Sequence, residues 1–168
     1  MNSNLRLGFI VASLTACIGL VCSSGDAHVR ETGDLEKTVK SIAESIKNNK
    51  MDDAKKKAVA AAKKIDDLAD LMEMYSTLEI SSQLKKMNAK MAAESGHTIA
   101  AMAELTLAKT PTKEGNKGRT KAAWTKFSEQ LRPASLDLAK ANTDATAVKA
   151  AERVNNACKA CHDVFKDN

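Results

Sequence analysis

Apolar residues along most of this chain recur at intervals of three and four, the period of a helix with one buried face, and nowhere alternate as in a half-buried strand. Gly33-Asp34 opens the first such run, in which Leu35, Val39, Ile42 and Ile46 share a face before Asn48-Asn49 breaks it. A second helix is expected from about Asp52 to near Tyr75, with Ala58, Ala62, Ile65, Leu68 and Met72 inward and Lys55-Lys56-Lys57 at its wet start. Ser76-Thr77 and Ser81-Ser82 weaken the next stretch, and helix resumes through Leu84, Met87, Met91, Ile99, Met102 and Leu105 to about Lys109. Pro111 to Gly118 contains a proline, two glycines and no apolar residue, and reads as a loop. The helix after it carries Trp124, Phe127, Leu131, Leu136 and Leu138 and is expected to bend near Pro133. Asn142-Thr143-Asp144 supplies a short turn and an N-cap for a last helix from Ala147 to Phe165. Short turns make neighbouring helices antiparallel, so the pattern predicts an all-α, up-and-down antiparallel four-helix bundle with an additional helix on its N-terminal side.

Residues 1–27 depart from this pattern. Arg6 precedes a mainly apolar run, Leu7 to Val21, of about 15 residues, which is short for a membrane span and is followed by small residues, as in an export signal. Cleavage after Ala27 is expected, with Val21-Cys22-Ser23 as a second usable site, leaving residues 28–168 as a single helical domain. Leu14-Thr15-Ala16-Cys17 resembles a lipobox, so lipid anchoring through Cys17 is the alternative to a free periplasmic protein. Export would remove Cys17 and Cys22 and leave only Cys158 and Cys161, so no separate structural disulfide is expected.

The formal net charge of +5 is unchanged by that cleavage, because Arg6 and Asp26 cancel. It suits an acidic protein partner, and equally a solvated lysine-rich surface. Nucleic acid is a poor fit, since basic clusters interleaved with aromatics are absent from a chain only 3% aromatic. No Ser/His/Asp set, paired acid and base or phosphate-binding glycine loop is present, and no enzymatic activity is expected.

The chemistry concentrates in Cys158-Lys159-Ala160-Cys161-His162. Two thiols three residues apart with an imidazole directly after the second form the arrangement by which a chain attaches one covalent c-type haem. At about 100° per residue the three side chains fall on one face, so the cysteines can hold the porphyrin edge while His162 serves as the proximal axial iron ligand. A redox dithiol would call for a βαβ context and a zinc site for a second ligand pair, and the sequence offers neither.

From Pro111 onward the chain resembles the cytochrome c′-type, or class II, c-type cytochromes. The resemblance rests on the Pro/Gly loop, the Trp124-x-x-Phe127 helix, the short polar turn and Cys158-x-x-Cys161-His162-x-x-Phe165 near the end. It implies a haem-binding bundle with haem at Cys158 and Cys161, His162 beneath the iron and Phe165 near the haem edge. Trp124 and Phe127 are pocket candidates that serve equally as core, and Arg153 is a candidate partner for a haem propionate.

The sequence departs from the family on the distal side, where six-coordinate members carry a Met on the first bundle helix. Leu35 to Ile46 contains no Met, so Leu35 or Val39 would cover a five-coordinate iron if this is that helix. If it is an added segment, Met72 becomes the leading distal candidate, with Met74 beside it. Met87, Met91 and Met102 read more simply as core, and His97 as a histidine without a ligand role. A thioether ligand would make a single-electron carrier serving redox partner proteins, whereas an open apolar pocket would bind NO or CO. Haem attachment machinery is an implied partner, and a homodimer through the first two helices is an arrangement known in the family.

Overall fold

The computed structural model describes residues 24–66, 68–110 and 119–165. Among these it is all-helical, with seven helices: α1 (Ser24–Lys47), α2 (Met51–Ala62), α3 (Leu68–Thr77), α4 (Ile80–Lys85), α5 (Ala89–Ala108), α6 (Lys121–Ala139) and α7 (Asp144–Phe165). Residues 1–23 of the expected export signal, with Cys17 and Cys22, and the expected loop at 111–118 lie outside the described residues.

Helix α1 begins at Ser24, earlier than the expected start at Gly33, and the cleavage position after Ala27 would fall in its first turn. A single glycine costs a helix only about 1 kcal/mol, and a Cβ at Gly33 would meet nothing within 4 Å. Asn49 adopts a left-handed φ of 57° and turns the chain into α2, as the Asn pair predicted. Val39, Ile42, Ala43 and Ile46 of α1 are buried together with Ala54, Ala58, Ala61 and Ala62 of α2. The hairpin is closed by Lys57, whose ammonium lies 2.8 Å from both Ser45 Oγ and an Asp53 oxygen, while Ser45 donates to Asp53 at 2.6 Å.

The second expected helix is in fact two. It stops at Ala62, and α3 starts at Leu68. Between them Ile65 is buried, and the Lys109 ammonium donates to the carbonyls of Ile65 and Asp66. Asp66 N–H donates to the Asp70 carboxylate at 3.2 Å, satisfying a donor at the start of α3. The next expected stretch divides as well: Glu79 at φ 50° separates α3 from α4, and Asn88 caps α5 by accepting from Met91 N–H at 3.1 Å. Pro133 lies inside α6 without ending it. It is exposed, and the carbonyl it leaves unbonded belongs to Glu129 on the solvent side.

Helix α5 is the hub, packing against α1, α2 and α6; α6 packs in turn against α7, and α4 against α7. Residues from Ile99 to Thr106 are buried without interruption, as expected of a helix surrounded by others. The core forms two clusters, one centred on α1, α2, α3 and α5, the other on α4, α5, α6 and α7. Tyr75 and Leu78 pack against both.

Side-chain bonds fix the directions of the helices. Trp124, at the start of α6, donates to Thr106 O near the end of α5 at 2.8 Å, so the two are antiparallel. Asp144, at the start of α7, accepts from Ala89 N–H at the start of α5 at 2.8 Å. Thr143 and Thr146 cap α7 reciprocally: Thr143 Oγ1 accepts from Thr146 N–H at 3.2 Å, and Thr146 Oγ1 accepts from Thr143 N–H at 3.1 Å. Buried Glu104 of α5 takes a charge-assisted bond from Arg132 of α6 at 2.9 Å.

The tightest approach is at Gly96 of α5, where an added Cβ would stand 2.6 Å from Ala139 Cα and 2.7 Å from Ser135 O. Both obstacles are backbone and cannot rotate away. Gly96→Ala is therefore expected to destabilise the fold by about 1–3 kcal/mol, whereas Gly33→Ala should leave it equal or slightly more stable, as read by urea unfolding. Equal midpoints for Gly96→Ala and the parent would contradict this packing.

Candidate functional site

The buried face of α7 runs through Ala147, Ala150, Ala151 and Val154, and the same three-and-four spacing continues to Cys158, Cys161 and Phe165. Burial falls along this stripe, from full at Val154 to partial at both cysteines, so the thiols sit where the packed seam opens. Both are free thiols. His162 lies at the edge of the stripe and is exposed, next to half-buried Cys161. All three lie within little more than one turn of α7, the cysteines half-buried and His162 exposed.

Aromatic rings close one side. Phe165 meets Trp124 edge to face with ring centroids 5.1 Å apart, and Phe127 at 6.2 Å. Trp124 is fully buried, and Phe127 and Phe165 half-buried. The last turn of α7 is held from α6's approach segment by Arg119, whose Nε donates to Val164 O at 2.9 Å.

Met72 is half-buried on α3 and packs against the core cluster that also contains Trp124 and touches Phe165. Met74 and Met102 are buried in the same cluster, Met87 in the other, with half-buried Met91 packed against it. Val39 is fully buried and Leu35 half-buried in the first cluster. His97 is half-buried beside the Gly96 crossing. Arg153 is engaged elsewhere, in an exposed ion pair with Asp137 at 3.0 Å.

Two residues not singled out in the sequence are joined by a hydrogen bond between α3 and α5. Tyr75 of α3 places its hydroxyl 2.9 Å from Thr106 Oγ1, and Thr106 donates its own proton to Met102 O at 2.7 Å. The Thr106 proton being committed, the phenol is the donor of the pair. Burial pushes the Tyr75 phenol well above its ordinary range, the Thr106 bond opposes this, and negative charge at Cys158 or Cys161 would push it further. The available signal was the singularity of Tyr75, the only tyrosine of the chain.

Burial also raises the Cys158 thiol, and raises Cys161 to about 11 with a smaller contribution from Cys158. Both are therefore neutral at pH 7, which suits an apolar face and makes them slow nucleophiles. The sign for stability follows: the folded thiol keeps its proton longer than the unfolded one, so this contribution is present below pH 9 and lost as pH rises towards 11.

As a donor set, two neutral thiols and an accessible imidazole on one helical turn beside an aromatic wall fit covalent haem. Among the described residues no three His, Cys, Asp or Glu side chains group as a metal site, and no helix is long and apolar enough to cross a membrane. No family model, curated protein or solved structure matches the chain.

In the haem-free chain the raised Cys161 should carry about a hundredfold less thiolate at pH 8 than an unshifted thiol. Alkylation of Cys161 by iodoacetamide should accordingly be much slower in the folded chain than in urea, and equal rates would contradict the burial described.

Proposed function

We propose that the protein is an exported, periplasmic monohaem c-type cytochrome of the cytochrome c′ type that passes single electrons between redox partner proteins. The observation that carries this reading is the continuation of α7's buried stripe into Cys158 and Cys161, with His162 at its open edge. Haem held there would supply a one-electron iron couple. Cys158 and Cys161 would bind it covalently and His162 would provide the proximal nitrogen. Phe165, Trp124 and Phe127 would exclude water from one side and limit rearrangement, because each ring is wedged against another. On the distal side Met72 is the candidate thioether; its packing against the same core cluster as Phe165 supports it.

The alternating course of α5, α6 and α7, in which α6 runs opposite to the other two, supports an up-and-down bundle in which α3 and α4 together act as the remaining helix. In this reading the α1–α2 hairpin is the addition on the N-terminal side.

Protein matured with a haem attachment system is expected to give a pyridine haemochrome of a doubly thioether-linked haem. It should show a low-spin spectrum with a sulfur-to-iron band when oxidised, and no reaction with CO when reduced. Met72→Ala should abolish that band and admit CO; Cys158→Ala or Cys161→Ala should impair covalent attachment, and His162→Ala should disturb iron ligation. Absence of haem from matured protein would overturn the reading, and a high-spin iron that binds CO would replace electron transfer with NO or CO binding.

A further inference from the structure

The excess positive charge of this chain is confined to one place. Seven lysines and two aspartates between Lys47 and Lys64 account for the whole formal net charge of +5, and the remainder of the chain is formally neutral. That stretch is helix α2 with its two ends. Ala54, Ala58, Ala61 and Ala62 bury one side of α2, so Lys55, Lys56, Val59 and Lys63, three and four residues apart, stand on the opposite, exposed side together with Asp52. Lys47 pairs with Glu44 at 3.7 Å and Lys57 with Asp53 at 2.8 Å. Lys50, Lys55, Lys56, Lys63 and Lys64 are exposed and enter no ion pair among the described residues. In their midst Val59 is 51% exposed, more than any other large apolar side chain among the described residues.

We propose that this face of α2 docks the protein on an anionic lipid surface. Its composition separates that occupant from a protein partner. Protein interfaces are poor in lysine and rich in aromatic and arginine side chains, and between Lys47 and Lys64 there is neither an aromatic residue nor an arginine. Lysine ammoniums are mobile point charges without the fixed fork of a guanidinium, which matches phosphate headgroups free to rearrange beneath them. Val59 enters the headgroup boundary at the centre of the contact. The helix has no need to insert, since its apolar side is already packed against α1 and α5. The α1–α2 hairpin carries none of the haem attachment residues, so the docking stands whether or not haem is bound.

The test is co-sedimentation of the exported, processed protein with vesicles of phosphatidylcholine, alone or mixed with an equal share of phosphatidylglycerol. Binding is expected to the mixed vesicles only, and should vanish as salt rises from about 0.05 M to about 0.5 M, where screening shortens the reach of each charge. Each lysine near the surface contributes about a fivefold factor in partitioning, so Lys55→Gln/Lys56→Gln/Lys63→Gln should bind about a hundredfold more weakly. The control Lys85→Gln/Lys86→Gln/Lys90→Gln removes the same charge from exposed positions at the end of α4 and the start of α5, and should lose less than about fivefold. Circular dichroism and urea unfolding should find parent and variants equally folded, because exposed lysine and glutamine have similar helix propensity. Equal losses in the two triple variants, equal binding to both kinds of vesicle, or no binding at low salt would overturn the proposal. Failure of the parent to acquire haem would defeat the cytochrome reading, while the vesicle result would still decide the role of α2.

Discussion

Everything at the candidate site depends on the angular pitch of α7. The helix buries residues spaced three and four apart against α6, and at that pitch the cysteines at 158 and 161 must follow Val154 onto the inner face. The thiols therefore reach the protein interior by the same packing that stabilises the bundle. Their neutrality follows from the same burial, and it is compatible with an apolar wall built from Phe165, Trp124 and Phe127. His162, one residue beyond the stripe, reaches solvent for the same geometrical reason.

The scaffold holding α7 is stiff where it needs to be. Gly96 lets α5 and α6 approach to backbone contact, and the buried alanines of α2, which packs against α1 and α5, add very little side-chain volume. A chain with so few aromatics fills its core through close helix approach, so short side chains carry much of the packing. Polar groups drawn into this core are paired: Glu104 with Arg132, Ser95 with Gln83, and Thr106 with Met102, Trp124 and Tyr75. Among the described residues no buried side-chain nitrogen or oxygen is left without a partner.

Helix class was legible from periodicity, and so were the Asn48-Asn49 turn, the Thr143 cap and the inward face of α7, because each is determined by neighbouring residues. The breaks after Ala62 and before Ala89 were not. At 63–66 the apolar spacing continues through Ile65 as if the helix did, and what accompanies the break is Lys109, the residue that caps the end of α5, distant in sequence and bonded to two carbonyls. Asn88 was a cap hidden inside a run of helix formers. The attachment residues could be named from the pentapeptide alone, whereas Tyr75 and Thr106 belong to helices that only tertiary packing brings together. Arg153 shows the converse: its proximity in sequence to the motif suggested a role in the site, but the pitch of the helix turns it towards Asp137.

Lys159 lies between the two cysteines, which offers a direct chemical test of the central claim. Trypsin cleavage after Arg153, Lys159 and Lys166 should separate Cys158 and Cys161 into two peptides. In material matured with a haem attachment system, mass spectrometry should find those peptides joined through one porphyrin by two thioethers that survive reduction. Two separate peptides with free thiols, or a pair that falls apart on treatment with dithiothreitol, would contradict the account.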